Sequence, residues 1–173
     1  VVVKLPMGIE VEDEMLVKKD SKFKYSISID NLTDKMKKNV TNAAKSGLQT
    51  IYDGVKDKKT FDEIKSAFEY KDADLSDLKD AYEDLVEDID SSITFTDVDI
   101  KDVTLNRVSI TDGNFRFYIK AKFDYKLTYQ SGEETKTNDS DTSGYMYLTF
   151  KYVDGSFKLI DASNLHKSFS KYY

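Results

Sequence analysis

The stretch FRFYIKAKFDYKL, residues 115–127, alternates: Phe115, Phe117, Ile119, Ala121, Phe123, Tyr125 and Leu127 are apolar, with Arg116, Lys120, Lys122, Asp124 and Lys126 between them. A period of two is the repeat of an extended chain whose successive side chains point to opposite faces, so this is a long strand with one buried and one wet side. Helical spacings lie almost wholly before it and further strand patterns after it, which places helices on one face of an antiparallel sheet. The expected fold is therefore α+β: N-terminal helices packed on a curved antiparallel sheet, preceded by a short β segment.

Immediately upstream, Ile93/Phe95, Val98/Ile100, Val103/Leu105 and Val108/Ile110 are apolar pairs at spacing two whose parity flips from pair to pair. Bulges or bends in one or two strands would produce that flip. Asp112-Gly113 is a tight turn into the long strand, and Asp154-Gly155 joins residues 145–153 to 156–162 as a hairpin. Between them, residues 130–143 (QSGEETKTNDSDTS) are polar and glycine-bearing, and a mobile loop is expected there.

From Asn31 the spacing changes to three or four: Leu32, Met36, Val40, Ala43 or Ala44, Leu48, Ile51, Tyr52 and Val55. This predicts a helix of about six turns at 3.6 residues per turn, capped by Asp30 or Asn31, with Gly54 near its end. A polar turn, Lys56 to Lys59, leads to Thr60, Phe61, Asp62 and Glu63, a capping box that starts a second helix running through Ile64 and Phe68. Leu75, Leu78, Tyr82, Leu85, Val86 and Ile89 mark a third. Residues 1–30 read as β, with Phe23, Tyr25, Ile27 and Ile29 alternating and an extended piece from Val1 to Val11 interrupted by Pro6 and Gly8. They form an N-terminal segment that either pairs with the main sheet or ends a preceding β domain; residues 31–173 form the α+β domain.

A chain of 173 residues buries about 70% of its unfolded surface, enough for one core. Apolar residues at 39% and charged residues at 34%, both signs interspersed, fit a globular protein and not a disordered one. The net charge of -6 argues against nucleic acid as a partner. With no cysteine, disulfides, thiolate metal sites and cysteine nucleophiles are excluded. Lysine outnumbers arginine 24 to 2, alongside many Asp, Asn, Tyr and Ile, a composition that looks like the codon bias of an A+T-rich bacterial genome. No apolar run approaches the ~20 residues that cross a bilayer. The chain starts VVVKLP without an initiator Met and reads as a fragment, so that any anchor or export signal is expected upstream of it, with no membrane contact by this segment itself.

A helix with a late tyrosine, a polar turn, a Phe-led short helix, a further helix and a bent meander ending in DGSFKLIDA resembles the nuclear transport factor 2-like (cystatin-like cone) domains. The matching pieces are LQTIYDGVKDKKTFDEI (Leu48 to Ile64) and the last hairpin, where relatives often have Trp and this chain has Phe157. The resemblance covers residues 31–163. With the lysine-rich, cysteine-free composition and the β segment ahead of it, the chain is similar to the membrane-distal domain of Gram-positive envelope proteins of the TcaA type. That resemblance implies an upstream transmembrane anchor, an extracytoplasmic, cell-surface location and a link to glycopeptide response; the cone itself hosts many unrelated activities.

Enzymes of the resembled superfamily place an acid and tyrosines inside the cone, because a desolvated carboxyl has the shifted pKa that proton transfer needs. The apolar face of the long strand offers no carboxylate, and the next strand offers Met146, Leu148, Phe150 and Tyr152. Tyr52, Tyr125 and Tyr152 could donate into a pocket, but with no base nearby they read as core residues, and no catalytic residue is expected. His166, the single histidine, lies on a C-terminal segment expected to fray and to leave it facing solvent. Asp72, Asp74, Ser76, Asp80 and Glu83 match calcium-loop positions 1, 3, 5, 9 and 12, but the sixth is Asp77 where Gly is needed, and Asp139, Asp141, Ser143 and Gly144 match only half a loop. No metal and no cofactor are expected. The sequons at Asn31, Asn39 and Asn138 matter only in a eukaryotic secretory route.

The outward face of the meander carries the candidate site. Arg116, Tyr118, Lys120, Lys122 and Lys126 line one strand, and Tyr145, Tyr147 and Lys151 share a face of its neighbour. Cations interleaved with tyrosines hold anionic or sugar-bearing polymers through charge and ring stacking. The expected partner is an envelope polymer or a protein, with a homodimer through this face, a structural or oligomerisation module, and a small-molecule-binding or isomerase/dehydratase-like cone as the alternatives.

Overall fold

The computed structural model describes residues 2–4, 10–12, 16–19, 22–90 and 93–172, and the side chains of 26–89 and 93–172. In chain order these form β1 (Val2–Lys4), β2 (Glu10–Glu12), β3 (Leu16–Lys19), β4 (Lys22–Ile27), α1 (Asp34–Lys56), α2 (Phe61–Ile64), α3 (Ser76–Asp90), β5 (Ile93–Thr111), β6 (Asn114–Ser131), β7 (Glu134–Val153) and β8 (Ser156–Ser163). Short 3-10 turns occupy Ile29–Asn31, Lys65–Ala67 and Leu165–Tyr172. β1 pairs with β2, and the other six strands form one antiparallel sheet in sequence order, β3-β4-β5-β6-β7-β8. The fold is α+β, with the helices packed on a curled antiparallel sheet and a short β segment ahead of them. β4 extends the sheet by pairing Lys24–Ile27 with Thr111–Val108 of β5. Ile27 is buried, and Ile29, expected to continue the alternation, lies instead in the 3-10 turn; the side chains of Phe23 and Tyr25 and the piece through Pro6 and Gly8 lie outside what is described.

β6 is the strand read from residues 115–127, and all seven of its apolar positions are buried. Its neighbour β5 follows a five-residue rhythm, ITFTD-VDIKD-VTLNR-VSITD, over residues 93–112. Register slips occur between Phe95 and Asp97, between Ile100 and Asp102, and between Leu105 and Arg107, so Thr96, Lys101 and Asn106 are bulge residues five apart. Each bulge resets the parity and returns the next apolar pair to the concave side, while adding local twist that curls the sheet around the helices. Beyond Val108 β4 gives β5 no partner, and α1 covers part of that edge. The Gln49 side chain donates to the Val98 carbonyl and accepts from the Ile100 N–H, both at 2.9 Å, so its amide stands where a neighbouring strand would.

The helices start and stop for local reasons. Thr33, and not Asp30 or Asn31, caps α1, its hydroxyl accepting from the Met36 N–H at 3.1 Å. At the other end Lys58 takes a positive φ of 57°, and the Lys59 N–H reaches the Gly54 carbonyl at 2.9 Å. That pattern, with the Lys58 N–H on the Val55 carbonyl, is the Schellman stop. Gly54 therefore sits inside the last turn, where a Cβ would come within 2.8 Å of the Tyr82 hydroxyl arriving from α3. The capping box holds, with the Thr60 N–H donating to the Glu63 carboxylate at 2.8 Å. α2 ends at Ile64 and hands over to a 3-10 turn, which still buries Phe68.

Two further expectations are overturned. Residues 130–143 are not a loop: β6 runs to Ser131, Gly132 supplies the positive φ of a tight turn, and β7 starts at Glu134. Cross-strand pairing continues without a slip from Phe115↔Phe150 to Ser131↔Glu134. The segment reads as a loop because both of its faces are polar. The C-terminal residues do not fray either. Leu165–Tyr172 folds back across the concave face, with Leu165, Ser168 and Phe169 buried.

Candidate functional site

The bulges of β5 and the straight register of β6 and β7 set three strands of outward side chains in rows. Arg107, Tyr118 and Tyr147 share one row; Thr104, Lys120 and Tyr145 form the next; Arg116 lies between Ser109 and Thr149. The side chains lean together. Tyr118 stacks on Tyr145 at 5.5 Å between ring centroids with 16° between planes, and meets Tyr147 at 4.8 Å. The Arg116 guanidinium lies 4.1 Å over the Tyr147 ring, and the Arg107 guanidinium 4.6 Å over Tyr118 while donating to the Tyr147 hydroxyl at 3.4 Å. Lys120 reaches over Tyr145 at 5.9 Å. Both arginines of the chain are thus spent on one tyrosine cluster, in which Tyr145 is 48% exposed and Tyr118 and Tyr147 are half-buried.

The remaining candidates lie elsewhere. Lys122 is flanked by Asp102 and Ser143, and Lys126 by Asp97 and Asp139. Between those rows Asp124 faces Asp99 and Asp141, and Lys101 bridges Asp99 at 2.7 Å and Asp124 at 3.6 Å. The Asp99 hydrogen bond, followed by its charge, raises the Lys101 pKa. Lys151 leans on Tyr70, 5.9 Å from its ring, and not on the cluster. The outward face is therefore two-ended, cationic and aromatic around Tyr118, of mixed sign around Asp124. The sequence alone does not mark Arg107, because its face depends on three successive register slips.

On the concave side, Phe169 projects into a socket of Phe95, Tyr125, Phe123 and Tyr52, at 4.9, 5.2, 5.4 and 5.8 Å between ring centroids. The Tyr52 hydroxyl donates to the Leu165 carbonyl. The Tyr172 hydroxyl bonds with Tyr125 and accepts from the Asn138 side-chain amide. Burial, then the Tyr125 bond, raises the Tyr172 pKa. Tyr52 and Tyr125 thus bond the chain's own C-terminal turn. Tyr152, expected on the inner face, is 36% exposed and packs on Phe157.

A groove of about 660 Å³ runs between α3 and the end of β8, lined by Asp77, Asp80, Asp84, Asp88, Asp161 and His166 among others. His166 is 40% exposed, its Nδ1 3.6 Å from the Asp88 carboxylate. Among the described residues, no group of three or more His, Asp or Glu side chains is placed to hold a metal ion. Burial, then the charge of Asp77, raises the Asp161 pKa above its ordinary 3.8, against the opposing Ala162 N–H bond and Arg116 charge. The folded state therefore holds this proton more readily than the unfolded chain, so ionised Asp161 opposes folding above its folded pKa, and the penalty fades as pH falls through it. Asp161→Asn should raise the melting temperature near neutral pH, with the gain shrinking as the solution is acidified toward 3.8. A gain that stays constant across that titration would assign the effect to something other than charge.

Comparison with protein-family models, with curated proteins and with solved structures finds no match for this chain.

Proposed function

We propose that this chain is a non-enzymatic, extracytoplasmic binding domain of a membrane-anchored Gram-positive envelope protein, with a nuclear transport factor 2-like cone as its framework. The observation that carries the reading is the outward-facing cluster of Arg107, Arg116, Lys120, Tyr118, Tyr145 and Tyr147. Three cations parked on tyrosine faces leave N–H donors and ring edges toward solvent, a combination suited to an anionic polymer bearing sugar or polyol units. The occupied concave face supports recognition from the outside, because Phe169 fills the place where a small molecule would sit.

The test is binding of the full chain to a glycerol-phosphate polymer, followed by calorimetry at low salt. Lys120→Glu should weaken binding about tenfold, the size of one charge-assisted contact. Lys126→Glu, between Asp97 and Asp139, should change it less than about threefold. Equal effects from both would mean attraction by bulk charge, and no binding by the unaltered chain would move the reading to a protein partner or a homodimer on this face.

A further inference from the structure

The C-terminal turn and the body of the domain behave as plug and socket. Phe169 is fully buried among rings contributed by α1, β5 and β6, Tyr172 is held by Tyr125 and Asn138 of β6 and β7, and the Leu165 carbonyl takes the Tyr52 hydroxyl. Seating this turn depends on a single connecting residue, Asn164, which reverses the chain at the end of β8 with φ of +66°. That left-handed conformation is strained for a residue with a Cβ, though asparagine tolerates it better than most. The seat itself is imperfect. Among the described residues Ser168 Oγ is buried without a hydrogen-bond partner, and it lies 1.8 Å from where a Cβ on Gly144 would stand, an approach that only glycine at 144 allows. An eight-residue 3-10 turn is also long for that geometry, whose runs seldom pass four residues.

We propose that the socket is a docking site exchanged between copies of this chain, Leu165–Tyr172 of one molecule seating on another to give a dimer with reciprocally swapped turns. The occupant is identified by its fit, since the socket already accepts these side chains, and a second copy offers them without requiring the reversal at Asn164. Charge agrees with this. The turn carries Lys167 and Lys171 and no acid, while the chain as a whole is at -6, so the body attracts the segment in trans as well as in cis. Swapping conserves every side-chain contact and releases hinge strain, which makes it an inexpensive route to a dimer.

Deleting Asn164 from the full chain shortens the hinge so that the turn cannot return to its own socket. Sedimentation should then give a doubled mass, and Phe169→Ala in the same background should restore the monomer. The unaltered chain, refolded at about 0.5 mM, should show the same dimer by mass action. A dimer that survives Phe169→Ala would belong to another surface, such as the outward sheet face, and would overturn the exchange. So would an unaltered chain that stays monomeric after concentrated refolding while the deletion variant is monomeric or unfolded. The glycerol-phosphate measurement does not enter this test, so either idea can fail alone.

Discussion

Phe169→Ala is expected to destabilise the domain by about 3–5 kcal/mol, the range for a fully buried phenylalanine whose site cannot collapse. Four aromatic neighbours on three different elements surround the ring. Each is fixed by its own packing: Tyr52, Phe95, Phe123 and Tyr125 are themselves buried to 4% exposure or less. They cannot close over the space a phenyl group leaves. The ring sits on a terminal turn, so its loss should fall first on the seating of residues 165–172 and only then on the sheet. Hydrogen exchange would show this as lost protection over the turn, with smaller changes in α1 and β6. Denaturant melts that shift by less than about 1 kcal/mol would mean that the turn contributes little to the folded state.

The alternation of β6 is fully legible because one face is dry from Phe115 to Leu127, and the parity flips of β5 correctly announce bulges. What they could not announce was direction: whether Arg107 faces out with Arg116 depends on counting three slips in a row. The polar stretch 130–143 misled for a related reason. Inward positions of β7 opposite Tyr125 and Leu127 are Ser140 and Asn138, so the period-two signal vanishes although the ladder does not. Asn138 is polar because its partner is the Tyr172 hydroxyl, a contact from the far end of the chain. Leu165, Phe169 and Tyr172 do stand at helical spacing, but one short run at a terminus is weak evidence for a docked element. Long-range pairing decided both segments, and local pattern records only local causes.

Removing the two arginines should produce the largest functional loss. Arg107→Ala with Arg116→Ala is expected to weaken binding to a glycerol-phosphate polymer by about 100-fold or more, two charge-assisted contacts at about a factor of ten each. The pair differs from any two lysines because a guanidinium lies flat on a ring while its edge donors remain aimed outward. Over Tyr147 and Tyr118, at 4.1 and 4.6 Å, both guanidinium groups are oriented by the tyrosines before any partner arrives. Less side-chain freedom then remains to be lost on binding. Arg→Lys at both positions would keep the charge and lose the stacking, so it should recover the salt dependence of binding but only part of the affinity. The double alanine variant should flatten the dependence of log affinity on log salt by about two units in slope, roughly one per cation removed. Both side chains are exposed, so melting temperature should barely move. Affinity that is unchanged in the double alanine variant would remove the outward cluster as the recognition site, whatever its geometry.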